Sequence, residues 1–293
     1  MLKKEGYASY QATFDRGGHR TDLAFFDLKH QPVLSSDGYA VERVKYDPRG
    51  DVTEQSYFDV HGKLTRAGGD KEYARVVNRY DQRGNQIESA YFGIDNTPVM
   101  LKLSYHSIQR TFDSHNSPVE DGYYGLQGEP LETSEGYARR LQHFDKYGNM
   151  IDEAIFKLNG APISVGGCSQ HVNRYDDRQR RIEESCLGLD GRLASRVDGF
   201  AVRKFQYDER GNQTEVAYFG ARSEPIRWYG KAQHKTRYVY DNRDNKVEEK
   251  YFDIDGRPMA GVHMRSETES EFCARWTGRY DRAGELVQSQ CIH

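Results

Sequence analysis

Tryptophan, proline and cysteine are scarce in this chain of 293 residues, at 2, 8 and 4 copies. Aliphatic side chains are too sparse for one large aliphatic core, so aromatic residues must supply much of the buried area. The formal net charge is only −3, and no Lys/Arg-rich run occurs, which argues against general nucleic-acid binding. No apolar run approaches a membrane span, and Met1 to Tyr10 does not read as a signal peptide. The chain opens nearly in phase with its own internal pattern, so a trimmed start is as plausible as a native one. Nucleophile elbow, phosphate loop and dinucleotide fingerprint are all missing, and a non-enzyme is expected. The ten His show no metal-ligand spacing, so neither a metal nor a cofactor is expected.

What the chain has in excess is tyrosine, 21 in all, and it recurs in phase. An aromatic-Asp pair begins at Phe14, Tyr46, Tyr80, Phe112, Phe144, Tyr175, Tyr207, Tyr240 and Tyr280. The steps are 32, 34, 32, 32, 31, 32, 33 and 40 residues, so nine copies fill residues 1–293 as a single repeat array. A fixed period of this size denotes stacked units, each burying its apolar side against its neighbours.

With the aromatic of the pair as position 0, another aromatic usually stands at −7 (Tyr7, Tyr39, Tyr73, Tyr105, Tyr137, Phe200), often followed by a small residue. The mixed residues after it read as a strand. Asp at +1 and Gly at +4, as in Asp81-Gln82-Arg83-Gly84, predict a type I turn closed by a left-handed bulge residue. The copies centred on Phe112, Tyr175 and Tyr240 lack that Gly, and looser or differently built turns are expected there. A second strand follows, with Tyr common at +11 and Phe at +12. Alternation puts +10, +12 and +14 on one face, read here as the core, with the +11 Tyr row on the opposite, outer side. A second turn, seen in Asp190-Gly191 and Asp255-Gly256, and a variable link lead to the next copy. No segment has helical periodicity. The expected fold is all-β, an elongated solenoid of about nine β-hairpin repeats of roughly 32 residues.

Tyr207-Asp208-Glu209-Arg210-Gly211-Asn212 and Tyr80-Asp81-Gln82-Arg83-Gly84-Asn85 resemble the Tyr-Asp repeats of the bacterial Rhs class. Tyr251-Phe252-Asp253-Ile254-Asp255-Gly256 and Tyr57-Phe58-Asp59-Val60-His61-Gly62 resemble the aromatic hairpins of choline- and glucan-binding cell-wall repeats. The resemblance implies a bacterial β-hairpin array, exposed at a surface or secreted.

Four cysteines replace aromatics in two copies. Cys168 and Cys273 stand at −7, Cys186 and Cys291 at +11, and each pair is 18 residues apart. Residues that change together within one copy are expected to touch, which predicts Cys168–Cys186 and Cys273–Cys291 disulfides and an extracytoplasmic or secreted location. The other reading is two reduced pairs filling aromatic space in a cytoplasmic scaffold. Position +8 is acidic in eight copies (Asp22, Glu54, Glu88, Glu120, Asp152, Glu183, Glu215, Glu248), and a structural ladder is favoured over a catalytic or cation-binding row. Candidate partner-binding residues are Tyr105 and the link residues Arg227, Trp228 and Tyr229, whose composition suits a binding hot spot or a sugar platform. For Trp228, filling a gap between copies is the favoured alternative. An added segment around Arg265 to Phe272 fits a cap or a partner contact. The expected role is a surface for a protein or carbohydrate partner, the sugar favoured by the outer Tyr row and the protein by the scarcity of repeated Trp and the mixed-charge surface. The alternatives are a spacer or shell segment of a larger secreted protein, and an enzyme with an unrecognised site.

Overall fold

The aspartate at +1 builds the hairpin turn. In all nine copies its Oδ1 accepts the backbone N–H groups of residues +3 and +5, as Asp81 does from Arg83 and Asn85 at 2.8 and 2.9 Å. The N–H of +4 returns to the Asp carbonyl and the Asp N–H to the +5 carbonyl, a type I turn with a bulge. The register shift at each hairpin's −1/0 step is that bulge. Position +4 takes a positive φ, at 88° for Gly84 and 99° for Gly211.

The three copies without Gly correct the expectation of looser turns. Asn116, Gln179 and Asp244 adopt φ of 66°, 62° and 65° and keep the same hydrogen bonds. The side-chain-to-backbone bonds of the Asp hold the turn closed, so the non-Gly residue bears the strain of the left-handed region, about 1–2 kcal/mol. Gln179→Gly is therefore expected to stabilise by about 0.5–1 kcal/mol, and Gly211→Ala to destabilise by about as much, although a methyl there meets nothing within 4 Å. Urea midpoints measure both. Equal and opposite shifts report backbone strain, whereas no shift for Gln179→Gly would mean the turn relaxes.

The computed structural model describes residues 6–68, 72–228, 233–264 and 270–292. Its strands are β1 (Ser9–Phe14), β2 (Arg20–Phe26), β3 (Val41–Tyr46), β4 (Val52–Phe58), β5 (Arg75–Tyr80), β6 (Gln86–Phe92), β7 (Ser107–Phe112) and β8 (Pro118–Tyr124). Then come β9 (Arg139–Phe144), β10 (Met150–Phe156), β11 (Gln170–Tyr175), β12 (Arg181–Leu187), β13 (Val202–Tyr207), β14 (Gln213–Phe219), β15 (Lys235–Tyr240) and β16 (Lys246–Phe252). The last copy adds β17 (Pro258–Met259), β18 (Gly261–Met264), β19 (Ser270–Cys273), β20 (Arg275–Tyr280) and β21 (Leu286–Ile292). The described residues are all-β, a run of antiparallel hairpins. The chain divides into two compact units, Met1–Gln142 with Phe156–Ala161 and His143–Ile155 with Pro162–His293. The division falls in the fifth hairpin, and the repeat pattern is the same in both units.

Within a hairpin six residue pairs face each other, but consecutive hairpins share only three. Thus β4 meets β5 at Glu54↔Val77, Gln55↔Val76 and Ser56↔Arg75. The joint is completed at +11, where the Tyr57 N–H donates to the Ala74 carbonyl and the Tyr57 carbonyl accepts from Thr65 of the link. The same pair of bonds serves Phe25, Tyr91, Tyr123, Cys186 and Tyr218. The close joint explains the small residue at −6: Ala40, Ala74 and Ala201 are fully buried there. The 40-residue step inserts the β18–β19 ribbon, while β16 still pairs with β20 in the usual register. Of the segment expected to cap, Ser270–Phe272 lie in β19, and 265–269 lie outside the described residues.

Candidate functional site

The residues at −7 and +11 meet inside the fold. In the first unit the rings of Tyr7–Phe25, Tyr39–Tyr57, Tyr73–Tyr91 and Tyr105–Tyr123 lie 4.6, 4.9, 4.9 and 5.1 Å apart. Contacts from one copy to the next join them: Phe25–Tyr39 at 5.7 Å, Tyr57–Tyr73 at 6.4 Å, Tyr91–Tyr105 at 6.2 Å and Tyr123–Tyr137 at 5.4 Å. The result is one aromatic column from Tyr7 to Tyr137, with Tyr57 fully buried. Offset and edge-on ring pairs at such distances add to the stabilisation that burial gives.

This column reverses the expected assignment of faces. The +11 row is the core, and the +14 row is at the surface, with Leu28 66% and Leu189 61% exposed. The physical reason is the length of the strand. Each second strand ends at +12, and +13 starts a turn of the same build as the first, with Asp27 accepting from Lys29 and Gln31. Position +14 is therefore a turn tip, to which the strand's alternation does not extend. The +11 row therefore lies inside the fold and not on its outer side.

In the second unit Cys168–Cys186 and Cys273–Cys291 are disulfides at the column positions, with Cα separations of 5.3 and 5.2 Å. Glu271 lies near the second pair, but both sulfurs there are spent in the bridge. Phe200 and Tyr218 meet edge-on at 5.4 Å, and Trp228 lies flat on Tyr218 at 4.9 Å with 14° between planes. Trp228 is half-buried against the Phe200–Val216–Tyr218 cluster. Its indole face is thus used in packing, while Arg227 is exposed. Tyr229 lies outside the described residues. Tyr105 belongs to the column of the first unit, and burial pushes its hydroxyl up to about 12. The three described candidates, Tyr105, Arg227 and Trp228, are thus distributed over two units.

On the opposite face the +8 carboxylates form ion pairs across the joints. Asp22 meets Arg43 at 2.9 Å, Glu54 meets Arg75 at 2.9 Å, Glu183 meets Lys204 at 3.5 Å, Glu215 meets Arg237 at 2.7 Å and Glu248 meets Arg275 at 2.6 Å. Several of these cations also cover the +12 ring of their own copy, as Arg43 covers Phe58 at 5.0 Å and Arg75 covers Phe92 at 4.3 Å. Each such cation ties two hairpins through charge and caps a third group through its plane.

A second set of carboxylates, at +9, went unread in the sequence. Asp121, 1% exposed, sits between Arg110 and Arg140. Glu184 is ringed by Arg181, Arg196 and Arg203 at 3.5, 3.2 and 2.5 Å. Glu249 meets Lys246 at 2.9 Å and His263 at 3.0 Å, and the His263 ring stacks on Trp276 at 4.8 Å. Burial alone would raise the Glu184 carboxyl, yet the arginines around it hold it below its ordinary value. These carboxylates share the face of the +11 row. They are matched by cations of their own and neighbouring copies, which offsets the cost of burying them. The chemistry of both rows is that of fixed ion pairs between hairpins.

No family model matches the chain, and no curated protein does. Among solved structures it is similar to TcdB2-TccC3 without its hypervariable C-terminal region, at 12% identity and a TM-score of 0.49, covering 96% of this chain and 13% of that one. It is also similar to a Photorhabdus luminescens Tc holotoxin pore structure, at 10% identity and a TM-score of 0.28, covering 97% of this chain and 15% of that one. The chain thus spans about one-seventh of the length of these neighbours.

Proposed function

We propose that this chain is a structural wall segment of a larger bacterial protein, non-enzymatic, and in contact with protein rather than carbohydrate. The observation that carries this reading is where the repeat spends its regular positions. The −7 and +11 rings, the −6 small residues, the +8 carboxylates and the +1 aspartates all serve the turns or the joints between hairpins. A ligand platform repeats its recognition groups on an accessible face, whereas here the repeated aromatics are covered by the next copy. The Tyr-Asp motifs that resemble Rhs repeats point the same way. The two disulfides favour an oxidising compartment, outside the cytoplasm.

Thermal unfolding in the presence of a panel of choline, glucan and other oligosaccharide ligands tests this role. The expected result is an unchanged midpoint with every sugar, for the wild-type chain and for Trp228→Ala alike. Since a ligand at a hundred times its Kd stabilises by about 2.7 kcal/mol, true binding moves the midpoint by several degrees. A shift with one sugar that disappears in Trp228→Ala would replace the wall reading with a ligand platform.

A further inference from the structure

Five copies share a device on the +8 face that another copy lacks. In the copies centred on Tyr46, Tyr80, Phe144, Tyr207 and Tyr240, a cation at −5 or −3 reaches the +8 carboxylate of the preceding copy. The same cation lies over the +12 phenyl ring of its own copy. The copy centred on Phe112 has Ser107 and Gln109 at those places and Tyr124 at +12. Among the described residues no cation covers Tyr124, and Glu88 of the preceding copy accepts from Gln109 at 3.3 Å instead.

The exchange falls in a cleft that recurs along the array. Between the copies centred on Tyr207 and Tyr240, a cleft of about 580 Å³ is lined by Glu215, Arg237, Glu248, Lys250 and Phe252. Between the copies centred on Tyr80 and Phe112, within the first unit, the same positions are Glu88, Gln109, Glu120, Gly122 and Tyr124, around about 480 Å³. The register is shared. Arg237 faces Glu215 across the joint and Lys250 within its hairpin, as Gln109 faces Glu88 and Gly122. Two cations are thus replaced by an amide and a hydrogen. Tyr124 lies across the bare strand, since a methyl at Gly122 would stand 3.2 Å from its ring. Glu215 and Glu248 each meet two cations. Glu88 meets Arg79, which is 70% exposed, at 2.8 Å, and Glu120 meets Arg139 at 3.4 Å. Arg110 also lines the cleft, but its guanidinium pairs with Asp121 on the other face.

We infer that this cleft takes an arginine side chain of a protein partner, its guanidinium set between Glu88 and the Tyr124 ring as Arg237 stands between Glu215 and Phe252. A fixed carboxylate beside an aromatic face suits a planar cation, which bonds through its edge and stacks through its plane. That the arginine belongs to a protein rests on the wall reading. That it is an arginine rests on the other copies, four of which place Arg over the ring.

Amide chemical shifts of Gln109 and Gly122, followed as N-acetylarginine amide is titrated into the whole chain, test the site. Both amides are expected to shift saturably, at roughly millimolar concentrations of the arginine compound. N-acetylcitrulline amide, similar in shape but uncharged, is expected to leave them in place. Tyr124→Ala is expected to weaken binding about three- to tenfold. Gln109→Arg supplies the cation from within the chain and is expected to abolish the shift at Gly122. Circular dichroism confirms that each variant keeps its β signal, and Gln109→Arg serves if Tyr124→Ala does not fold. No shift with the arginine compound, an equal shift with the citrulline compound, or a shift that survives Gln109→Arg overturns the site and leaves the wall reading standing. A glucan oligosaccharide that shifts the same amides in place of the arginine compound overturns both.

Discussion

Tyr57→Ala is expected to destabilise the protein by about 3–5 kcal/mol, the range for deleting a fully buried large aromatic. Tyr57 has no exposed surface, and its ring lies between Tyr39 and Tyr73 in the column. Its backbone also holds both sides of a joint, through Ala74 and Thr65. Removing the ring opens a cavity that neighbours on separate hairpins cannot fill without breaking those bonds. Leu28→Ala is the control, expected within about 0.5 kcal/mol because Leu28 stands at an exposed turn tip. Repeat arrays unfold in blocks, so the loss is best read locally, by hydrogen exchange at the amides of Tyr57, Ala74 and their neighbours. Faster exchange confined to adjacent copies fits a column held by nearest-neighbour contacts. Comparable losses for Tyr57→Ala and Leu28→Ala would restore the assignment of faces that the alternation implies.

The reversal shows what was legible in the sequence. Turn chemistry is local: Asp at +1 bonds to backbone two and four residues on, so both the turn and its bulge follow from residues close in the chain. The cysteine pairs were readable because −7 and +11 change together within one copy. Direction relative to the core is a different quantity. A period of two tells which side chains share a face and says nothing about which face is covered. Leu and Ile at +14 draw the core to the wrong side only if the strand is extended two residues too far. The second turn, opened by Asp27 or Asp59 at +13, is the signal that the strand has already ended. With the +11 row placed inward, parity alone puts +9 beside it, and Asp121, Glu184 and Glu249 become buried charges that need cations. Their cations come from different offsets (Arg110 at −2, Arg140 at −4, Arg196 in a link, Lys246 at +6), so no single spacing reveals them. Trp228 illustrates the same limit. Its composition is that of a hot spot, but the flat stack on Tyr218 is a three-dimensional fact.

A core made of tyrosine carries a consequence for alkaline stability. Burial raises the hydroxyls of Tyr39, Tyr57 and Tyr105 to about 12, and Glu42 and Asp37 push the first two further the same way. Tyr123, Tyr238 and Tyr251 are also raised, again chiefly by burial. The unfolded chain releases these protons near pH 10 and the folded chain does not. Between pH 10 and 12 the unfolded state therefore binds fewer protons, and stability falls as pH rises. A tenfold difference in acidity between the folded and unfolded chain corresponds to about 1.4 kcal/mol, so three tyrosines held near 12 withdraw several kcal/mol across that window after solvent screening is allowed for. That is comparable to the whole stability of an ordinary domain. The expected result is a flat urea midpoint up to about pH 9, a steep decline above pH 10, and unfolding before pH 12. Phenolate absorbance should rise in one cooperative step that coincides with loss of the β signal in circular dichroism. Tyr57→Phe removes one titrating hydroxyl and keeps the ring, so it should shift that step to higher pH, provided the phenyl ring packs as well. If absorbance instead rises gradually around pH 10 while the β signal persists, water reaches the rings and the column is not a sealed core.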